Sequence, residues 1–233
     1  MEKKKNIVVL TGAGVSAESG INTFRDAGGL WEGHDVMEVA SPQGFARNPA
    51  LVLDFYNQRR RQLKTVSPNK AHLALAELED AYQVDIITQN VDNLHEQAGS
   101  SEVLHLHGEL LKMRSSGSEY PVLDCHGDIN LGDLCEKGHQ LRPHIVWFGE
   151  AVPLLEKAAQ LTENSDIVII IGTSMQVYPA AGLVDYAQAG VPIYFIDPNP
   201  SVSPYDYDNL TIVAKTAVNG VPPLVSKLLK EAP

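Results

Sequence analysis

Short apolar runs recur along the chain, and Gly, Pro, Asp or Asn bounds each of them. These runs cover residues 7–10, 84–88, 166–171, 192–196 and 210–214. They are apolar on both faces and rich in β-branched residues, which is typical of strands that are buried on both sides of a sheet. The pattern therefore predicts a parallel β-sheet in the interior of the protein.

Segments with the helical spacing of apolar residues lie between these strands. They cover residues 70–82, 154–161, 180–189 and 223–230. Strands that alternate with helices predict an α/β fold with a doubly wound parallel sheet, whose helices cover both faces. Ligands of such folds bind beyond the carboxyl ends of the strands, so the residues that follow the strands are the candidates for chemistry.

Two segments interrupt this alternation. Residues 22–55 contain a glycine-bearing loop and short helical patterns, and no strand follows promptly. Residues 112–142 are rich in Gly, Ser and Asp, hold both cysteines and lack a sustained period. We interpret residues 112–142 as a small, loop-rich module that packs on the main sheet.

Charge and cysteine content narrow the function classes. The chain has 18 Lys and Arg against 29 Asp and Glu, and its net charge of -11 repels phosphate backbones, so nucleic acid is not an expected partner. The charged start runs into the short apolar stretch at 7–10, which is too short for a signal peptide or a membrane span. Cys125 and Cys135 are the two cysteines, so we expect no disulfide framework and a reducing, cytoplasmic setting.

The first candidate site follows the first strand directly. Glycines there allow a tight turn in which backbone N–H groups approach a pyrophosphate, and the helix N-terminus behind it stabilises the charge. The turn contains Gly12, Ala13, Gly14, Ser16 and Ala17. A glycine turn without a ligand is the alternative. An acidic residue that closes a second strand is missing, which disfavours an ordinary hydride-transfer dehydrogenase.

A cluster of polar residues follows the strand at 84–88. Gln89, Asn90 and Asp92 can hydrogen-bond ribose hydroxyls and a carboxamide. Burying such a cluster is costly unless a ligand or a network satisfies it. A solvated turn that caps a helix is also compatible with these residues.

A second turn of small residues follows the strand at 166–171. Gly172, Thr173 and Ser174 combine backbone freedom with hydroxyl donors, which suits another anionic or ribose contact. Asn199 follows the next strand and can reach the same edge. Two such turns on one sheet favour a dinucleotide more strongly than one does.

Two histidines alternate with leucines after residue 103. His105 and His107 lie on one face of this segment, and Leu104 and Leu106 on the other. A histidine near its ordinary pKa suits general-base work at neutral pH. A structural role or metal binding is the alternative, but no carboxylate or cysteine accompanies the pair at ligand spacing.

Tyr56 and Arg59 share a face if residues 54–61 are helical. A guanidinium beside a phenol hydroxyl is well shaped to hold a carboxylate. The residues alone nevertheless favour an exposed basic helix face.

Taken together, these motifs resemble the sirtuin family. The resemblance rests on GAGVSAESGI at 12–21, TFR at 23–25, TQNVD at 88–92, HLHG at 105–108, VWFGE at 146–150 and GTS at 172–174. They occur in the family's order along nearly the whole chain. The AESG form at 17–20 and the pair Tyr56 and Arg59 look like the class III branch, whose members remove succinyl and malonyl groups. The resemblance thus favours a functional role for this pair.

The resemblance implies an NAD-dependent protein lysine deacylase that removes succinyl, malonyl and acetyl groups and releases nicotinamide and O-acyl-ADP-ribose. His107 would be the general base, and Asn90 a second catalytic residue. NAD would contact Gly12, Ala13, Gly14, Ser16, Ala17, Phe24, Arg25, Trp31, Gln89, Asn90, Asp92, Gly172, Thr173, Ser174, Asn199 and Ala217. The acylated protein would contact Tyr56, Arg59, Val146, Phe148, Gly149 and Glu150.

The resemblance also implies one catalytic domain over residues 1–233. Its large Rossmann-like part would comprise 1–25, 70–111 and 143–233, and its small inserted parts 26–69 and 112–142. We expect a cytoplasmic monomer that acts on acyl-lysine proteins and has no membrane or nucleic-acid partner. ADP-ribosyl transfer or NAD hydrolysis, and a catalytically silent NAD sensor, are the alternatives.

The sequence departs from the family in one respect. Sirtuins usually hold a structural zinc with two cysteine pairs, but this chain has no Cys-x-x-Cys, and Ser115 and Ser116 stand near the place of the first pair. Four residues could supply ligands, although their spacing is not the family's. They are Cys125, His126, Cys135 and His139. We expect no zinc.

Overall fold

The computed structural model describes residues 4–22, 30, 31, 33–117 and 121–232. The strands in these residues are β1 (Asn6–Thr11), β2 (Leu30–Trp31), β3 (His34–Asp35), β4 (Gln83–Thr88), β5 (Val103–His105), β6 (Gly108–Ser115), β7 (Leu123–Asp124), β8 (Leu141–Ile145), β9 (Ile167–Ile171), β10 (Ile193–Ile196) and β11 (Leu210–Val213). The α-helices are α1 (Val36–Val39), α2 (Pro42–Arg47), α3 (Pro49–Leu63), α4 (Lys70–Glu77), α5 (Leu94–Ala98), α6 (Leu155–Glu163) and α7 (Ala217–Lys230). Short 3-10 helices cover Ala13–Val15, Ala17–Ser19, Leu78–Asp80 and Ala180–Tyr186.

Six parallel strands form the main sheet, in the order β11-β10-β9-β1-β4-β5. This arrangement confirms the predicted doubly wound sheet and the strands that the apolar runs indicated. The edge strand β5 was not among those runs, because it has only 3 residues and one of them is a histidine. A run of that length carries too little pattern to identify a strand.

Helices cover both faces of this sheet. α4 and α7 pack on one face, where Leu75 and Val221 lie against Ile169 and its neighbours. α6 and the 3-10 helix Ala180–Tyr186 pack on the other face. Among the described helices, none is long and apolar enough to cross a membrane.

Two of the predicted helices differ in detail from the structure. The segment at 180–189 is a 3-10 helix that ends at Tyr186, and Gly182 in its middle disfavours an α-helix. α7 begins at Ala217 rather than at residue 223, with Pro222 and Pro223 inside it. Burial of its apolar face against the sheet outweighs the helix hydrogen bonds that proline removes.

A second, antiparallel sheet has the order β7-β6-β8. The predicted loop-rich module at 112–142 includes the last residues of β6, the strand β7 and the first residues of β8, with turns and loops between them. The register of β6 against β8 shifts between Glu109 and Met113. Such a bulge breaks the alternation of inward and outward residues, which hides the strand period in the sequence.

The helices α1, α2 and α3 occupy the other interrupting segment. Asp35, Ser41 and Asn48 cap their N-termini through side-chain oxygens. α3 packs on β6 and β8 through an apolar cluster that includes Tyr56, and Leu94 of α5 belongs to the same cluster. This packing brings α3 to the carboxyl edge of the main sheet.

Candidate active site

The strand ends of the main sheet lie at one level. Thr11 pairs in register with Thr88 on one side and Ile171 on the other, and Thr88 pairs with His105. The ladder continues one residue further, since the N–H of Gln89 donates to the carbonyl of Thr11 over 2.9 Å. The turns that follow these strands therefore leave the sheet side by side, as the sequence predicts.

The two glycine turns contact each other directly. The N–H of Gly14 donates to the carbonyl of Gly172 over 2.8 Å. A Cβ at Gly14 would lie 2.6 Å from the Cα of Gly172, and a Cβ at Gly12 would lie 2.8 Å from its carbonyl oxygen. These glycines are thus required for the close approach of the turns, in addition to any contact with a phosphate.

Ser16 connects the first turn to the polar residues after β4. Its hydroxyl donates to Oδ2 of Asp92 over 3.1 Å and accepts from Nδ2 of Asn90 over 3.2 Å. The Asn90 amide also donates to the carbonyl of Gly12 over 3.2 Å. All three polar side chains are buried, so the structure brings them together in one network.

Gln89 extends this network to the second glycine turn. Its Nε2 donates to Oγ1 of Thr173 over 3.3 Å. Oδ1 of Asp92 also accepts from the N–H of Leu94, the first residue of α5, over 3.1 Å. Burial raises the pKa of the Asp92 carboxyl, and the hydrogen bonds from Leu94 and Ser16 oppose that rise.

His107 lies at the same edge. Its Nδ1 is 3.0 Å from the carbonyl oxygen of Gln89, which can only accept, so Nδ1 carries the proton and Nε2 is the basic atom. Burial lowers the pKa of His107 below the ordinary 6.5, which keeps the ring neutral at pH 7. A neutral imidazole with a defined tautomer can act as a general base.

His72 and His95 lie behind this network, and the sequence interpretation missed both roles. Their rings are 4.8 Å apart, and Nε2 of His95 is 3.1 Å from Oγ1 of Thr11. Nδ1 of His72 accepts from the N–H of Asn69 in a capping box, which leaves Nε2–H for the Ser16 hydroxyl at 3.5 Å. The sequence signal for the role of His72 is Asn69 three residues before it at the start of a helix, which is the spacing of a capping box.

Tyr56 and Arg59 line a cavity of about 50 Å³ together with Asp92, Val91 and Leu110. The structure thus places the pair beside the polar network rather than on an exposed helix face. The Tyr56 hydroxyl is fully buried and accepts from Nε1 of Trp147 over 3.0 Å. Burial raises the pKa of Tyr56, so the hydroxyl stays protonated.

Glu150 belongs to an internal ion-pair network. Its carboxylate accepts from Arg142 at 2.7 Å, from Arg114 at 3.1 Å and from the N–H of Trp147 at 2.8 Å. The Arg142 guanidinium stacks 3.3 Å from the Trp147 ring centroid. The Glu150 side chain therefore holds the segment 146–150 in shape instead of pointing to a partner.

The other residues of that segment are placed differently. The N–H of Val146 donates to the carbonyl of His107, and the N–H of Phe148 donates to the carbonyl of Ala40, both over 2.9 Å. The Phe148 side chain is 44% exposed, and Gly149 has a φ of 89° with open space where a Cβ would lie. The exposed surface of the segment is thus at Phe148 and Gly149.

The remaining predicted contacts are spread along the same edge. The N–H of Asn199 donates to Asp197 over 2.8 Å, and the N–H of Val218, next to Ala217, donates to Glu18 over 3.0 Å. Ser174 accepts from Ser201 through its carbonyl, while Ala13 and Ala17 begin the two 3-10 helices of the first turn. Phe24, Arg25 and the side chain of Trp31 lie outside the described part of the chain.

The four side chains considered as zinc ligands do not converge. Cys125 packs with Leu53 and Ile129, whereas Sγ of Cys135 lies 3.3 Å from the hydroxyl of Ser115. Within residues 4–22, 33–117 and 121–232, no three His, Cys, Asp or Glu side chains form a metal-binding group.

The fold and the buried polar network at the carboxyl edge define a doubly wound α/β protein with a dinucleotide-type site. The chain belongs to the Sir2 family, whose model matches residues 12–179.

Relatives of this chain include bacterial enzymes named NAD-dependent protein deacylase. The Helicobacter pylori protein is 59% identical over 98% of this chain and 99% of its own, and the Bacteroides thetaiotaomicron protein is 53% identical over 98% and 100%. A solved Sir2 homolog–NAD complex is 40% identical, with a TM-score of 0.87 over 99% of this chain and 91% of its own. A structure of Sir2 bound to acetylated peptide is 27% identical, with a TM-score of 0.77 over 98% and 93%.

Proposed function

We propose that this protein is an NAD-dependent protein lysine deacylase. The single observation that carries the proposal is the network of Ser16, Asn90 and Asp92 beside His107, at the edge where two glycine turns meet. Its membership of the Sir2 family and the deacylases at 50–59% identity support the same activity. The proposed substrates are proteins with acylated lysine side chains.

The residues at the edge fit NAD. The glycine turns leave no room for side chains between them, and the polar groups of Gln89, Asn90 and Thr173 supply both donors and acceptors. We propose that these residues hold the cofactor, with Gly12, Gly172 and their neighbours near its phosphates. When bound, NAD supplies a cleavable nicotinamide–ribose bond and the ADP-ribose to which the acyl group passes.

The proposed base is Nε2 of His107. It accepts a proton from a hydroxyl group, and Nδ1–H then remains hydrogen-bonded to the carbonyl of Gln89. That hydrogen bond stabilises the imidazolium that proton transfer creates. The neutral resting state of His107 makes the base available at pH 7.

We propose that Tyr56 and Arg59 select acyl groups with a distal carboxylate, such as succinyl and malonyl. Trp147 Nε1 can only donate, so the Tyr56 hydroxyl is the acceptor there and its own proton is the one it can donate. A guanidinium and a hydroxyl that line one small cavity suit a carboxylate at the end of a short chain. Phe148 and Gly149 are the proposed contacts of the substrate backbone.

Further parts of the proposal concern the whole protein. The protein is divided into a Rossmann-like part and a smaller inserted part. It acts as a monomer in the cytoplasm and has no nucleic-acid partner. We also propose that the protein binds no structural zinc, since the Ser115 hydroxyl, rather than another thiol, lies against Cys135. Elemental analysis of the purified protein is expected to give far less than one zinc per chain, and a chelator to leave Tm unchanged. One zinc per chain would overturn this part.

The experiment that tests the function is a mass-spectrometric assay with NAD and matched acetyl-lysine and succinyl-lysine peptides. We expect unmodified peptide, free nicotinamide and O-acyl-ADP-ribose in equal amounts. Release of nicotinamide while the acyl-peptide stays unchanged would instead support NAD hydrolysis. ADP-ribose attached to the peptide would support ADP-ribosyl transfer. The absence of all products would leave a silent NAD-binding protein.

A further inference from the structure

His105 is a buried, titratable residue that has no role in the proposed reaction. It ends β5, is 7% exposed, and stands two residues before the proposed base. Its Nδ1 is 3.0 Å from the carbonyl oxygen of Asn90, and its Nε2 is 2.7 Å from Oε1 of Glu96 on α5. Both ring nitrogens are therefore engaged.

The partners of His105 determine its protonation state. A carbonyl oxygen and a carboxylate can only accept, so both ring nitrogens satisfy them only when both carry protons, as an imidazolium. Glu96 raises the pKa of His105 against the effect of burial, and Glu109 on β6 acts in the same direction. The charge of His105 in turn lowers the pKa of the Asp92 carboxyl and of His95, although burial is the largest influence on both.

His105 and His107 together hold two consecutive carbonyl groups. Nδ1 of His107 donates to the carbonyl oxygen of Gln89, and Nδ1 of His105 donates to that of Asn90, each over 3.0 Å. The side chains of Gln89 and Asn90, which hydrogen-bond to the two glycine turns of the proposed NAD site, are carried by the same stretch of backbone. Rotation of either peptide would move these side chains and, with them, Asp92.

We propose that His105, held by Glu96, is a positioning residue that fixes the Asn90 carbonyl and thereby the orientation of the NAD-binding loop 89–92. This inference rests on the proposed function, because it assigns His105 a role in that same site. His105 itself contacts neither cofactor nor substrate. It acts through the single hydrogen bond from Nδ1 to the Asn90 carbonyl, which one substitution at position 105 can remove and another can restore.

The test is the affinity of purified variants for NAD, measured by calorimetry without peptide. His105→Leu removes the donor and is expected to raise the Kd for NAD about tenfold, which is about the net contribution of one hydrogen bond that holds the binding loop in place. His105→Asn places an amide N–H where Nδ1–H stood and is expected to recover most of that loss. The affinity for ADP-ribose is expected to change less, because ADP-ribose lacks the carboxamide.

Two further variants keep the test decisive if His105→Leu does not fold. Glu96→Leu removes the carboxylate that anchors Nε2, on a residue whose side chain is 39% exposed, and it is expected to raise the Kd for NAD by less than His105→Leu does, because Nδ1–H still donates to the Asn90 carbonyl. The matched control is His126→Leu on an exposed histidine, which is expected to leave the Kd unchanged.

The proposal is overturned if folded His105→Leu binds NAD as tightly as the unchanged protein. It is equally overturned if His105→Asn is no better than His105→Leu, or if Glu96→Leu leaves the Kd for NAD unchanged. Failure of the proposed function is a separate result, because then the unchanged protein gives no deacylated peptide whatever the variants bind.

Discussion

The hydroxyl of Ser16 donates to Oδ2 of Asp92 over 3.1 Å, although 76 positions separate the two residues in the chain. Ser16 also lies at 3.5 Å from Nε2 of His72, whose Nδ1 is occupied as an acceptor. The proposed cofactor site therefore depends on a neutral histidine behind it. That dependence has a consequence for stability in acid.

We expect the protein to lose stability as the pH falls from 6.5 towards 4. Burial lowers the pKa of His72 from 6.5 to about 4, so in this window the unfolded chain binds a proton that the folded chain does not. The sign follows: stability rises with pH there, and the His72 contribution amounts to about 3 kcal/mol.

Urea unfolding of the protein and of His72→Gln across this window measures the effect. Glutamine retains a donor for Ser16 and does not titrate, so its pH dependence is expected to be shallower. Identical slopes for both proteins would show that His72 is not the group responsible.

His107→Ala is expected to lower kcat for deacylation by ~10²–10⁴ with little change in NAD affinity, because it removes the proposed base and leaves the network of Ser16, Asn90 and Asp92 intact. The pKa of His107 lies below 6.5, so kcat of the unchanged protein is expected to hold near pH 7 and to fall only in more acid solution. A steady-state pH profile checks this. An inflection above pH 7 would point to a different base.

Arg59→Met is expected to weaken succinyl-lysine turnover far more than acetyl-lysine turnover. Loss of a charge-assisted pair with the distal carboxylate removes ~2–4 kcal/mol of transition-state binding. The measurement is kcat/KM for the two matched peptides. Arg61→Met is the control on the same helix, since its exposed guanidinium pairs with Asp128. Equal losses on both peptides would contradict the assignment of Arg59.

Gly14→Ala is expected to destabilise the fold by ~1–3 kcal/mol and to weaken NAD binding. Its Cβ would lie 2.6 Å from the Cα of Gly172, and both atoms belong to backbone that has little freedom to move. Thermal unfolding and calorimetry measure the two effects. Gly127→Ala meets nothing within 4 Å and serves as the control. A Gly14→Ala protein with unchanged Tm would refute the close contact.

The main sheet could be predicted from the sequence because its central strands are apolar on both faces. A short run that is apolar on both faces, such as residues 166–171, fits a buried strand better than other structures. Parallel strands then place their carboxyl ends together. The convergence of Gly14, Asn90 and Gly172 therefore followed from topology alone. The resemblance to sirtuins then assigned chemistry to that edge.

Other features depend on packing that no local pattern records. The bulge between Glu109 and Met113 hides the strands of the small sheet. Pro222 and Pro223 lie within α7, although proline in a sequence is typical of the first turn of a helix. The Glu150 side chain resembles a surface group in the sequence, but two arginines from different strands pair with it and leave it 21% exposed. His72 is likewise an ordinary helix residue until Ser16 is brought beside it.

The ion pairs of Glu150 with Arg114 and Arg142 bear on the proposed substrate contact at Phe148 and Gly149. Because the segment 146–150 is already fastened to the protein interior, an incoming chain does not have to order it. In the proposed deacylase, specificity then resides in the acyl group rather than in the flanking residues. A segment that is ordered before the substrate arrives is suited to an enzyme that acts on many different proteins.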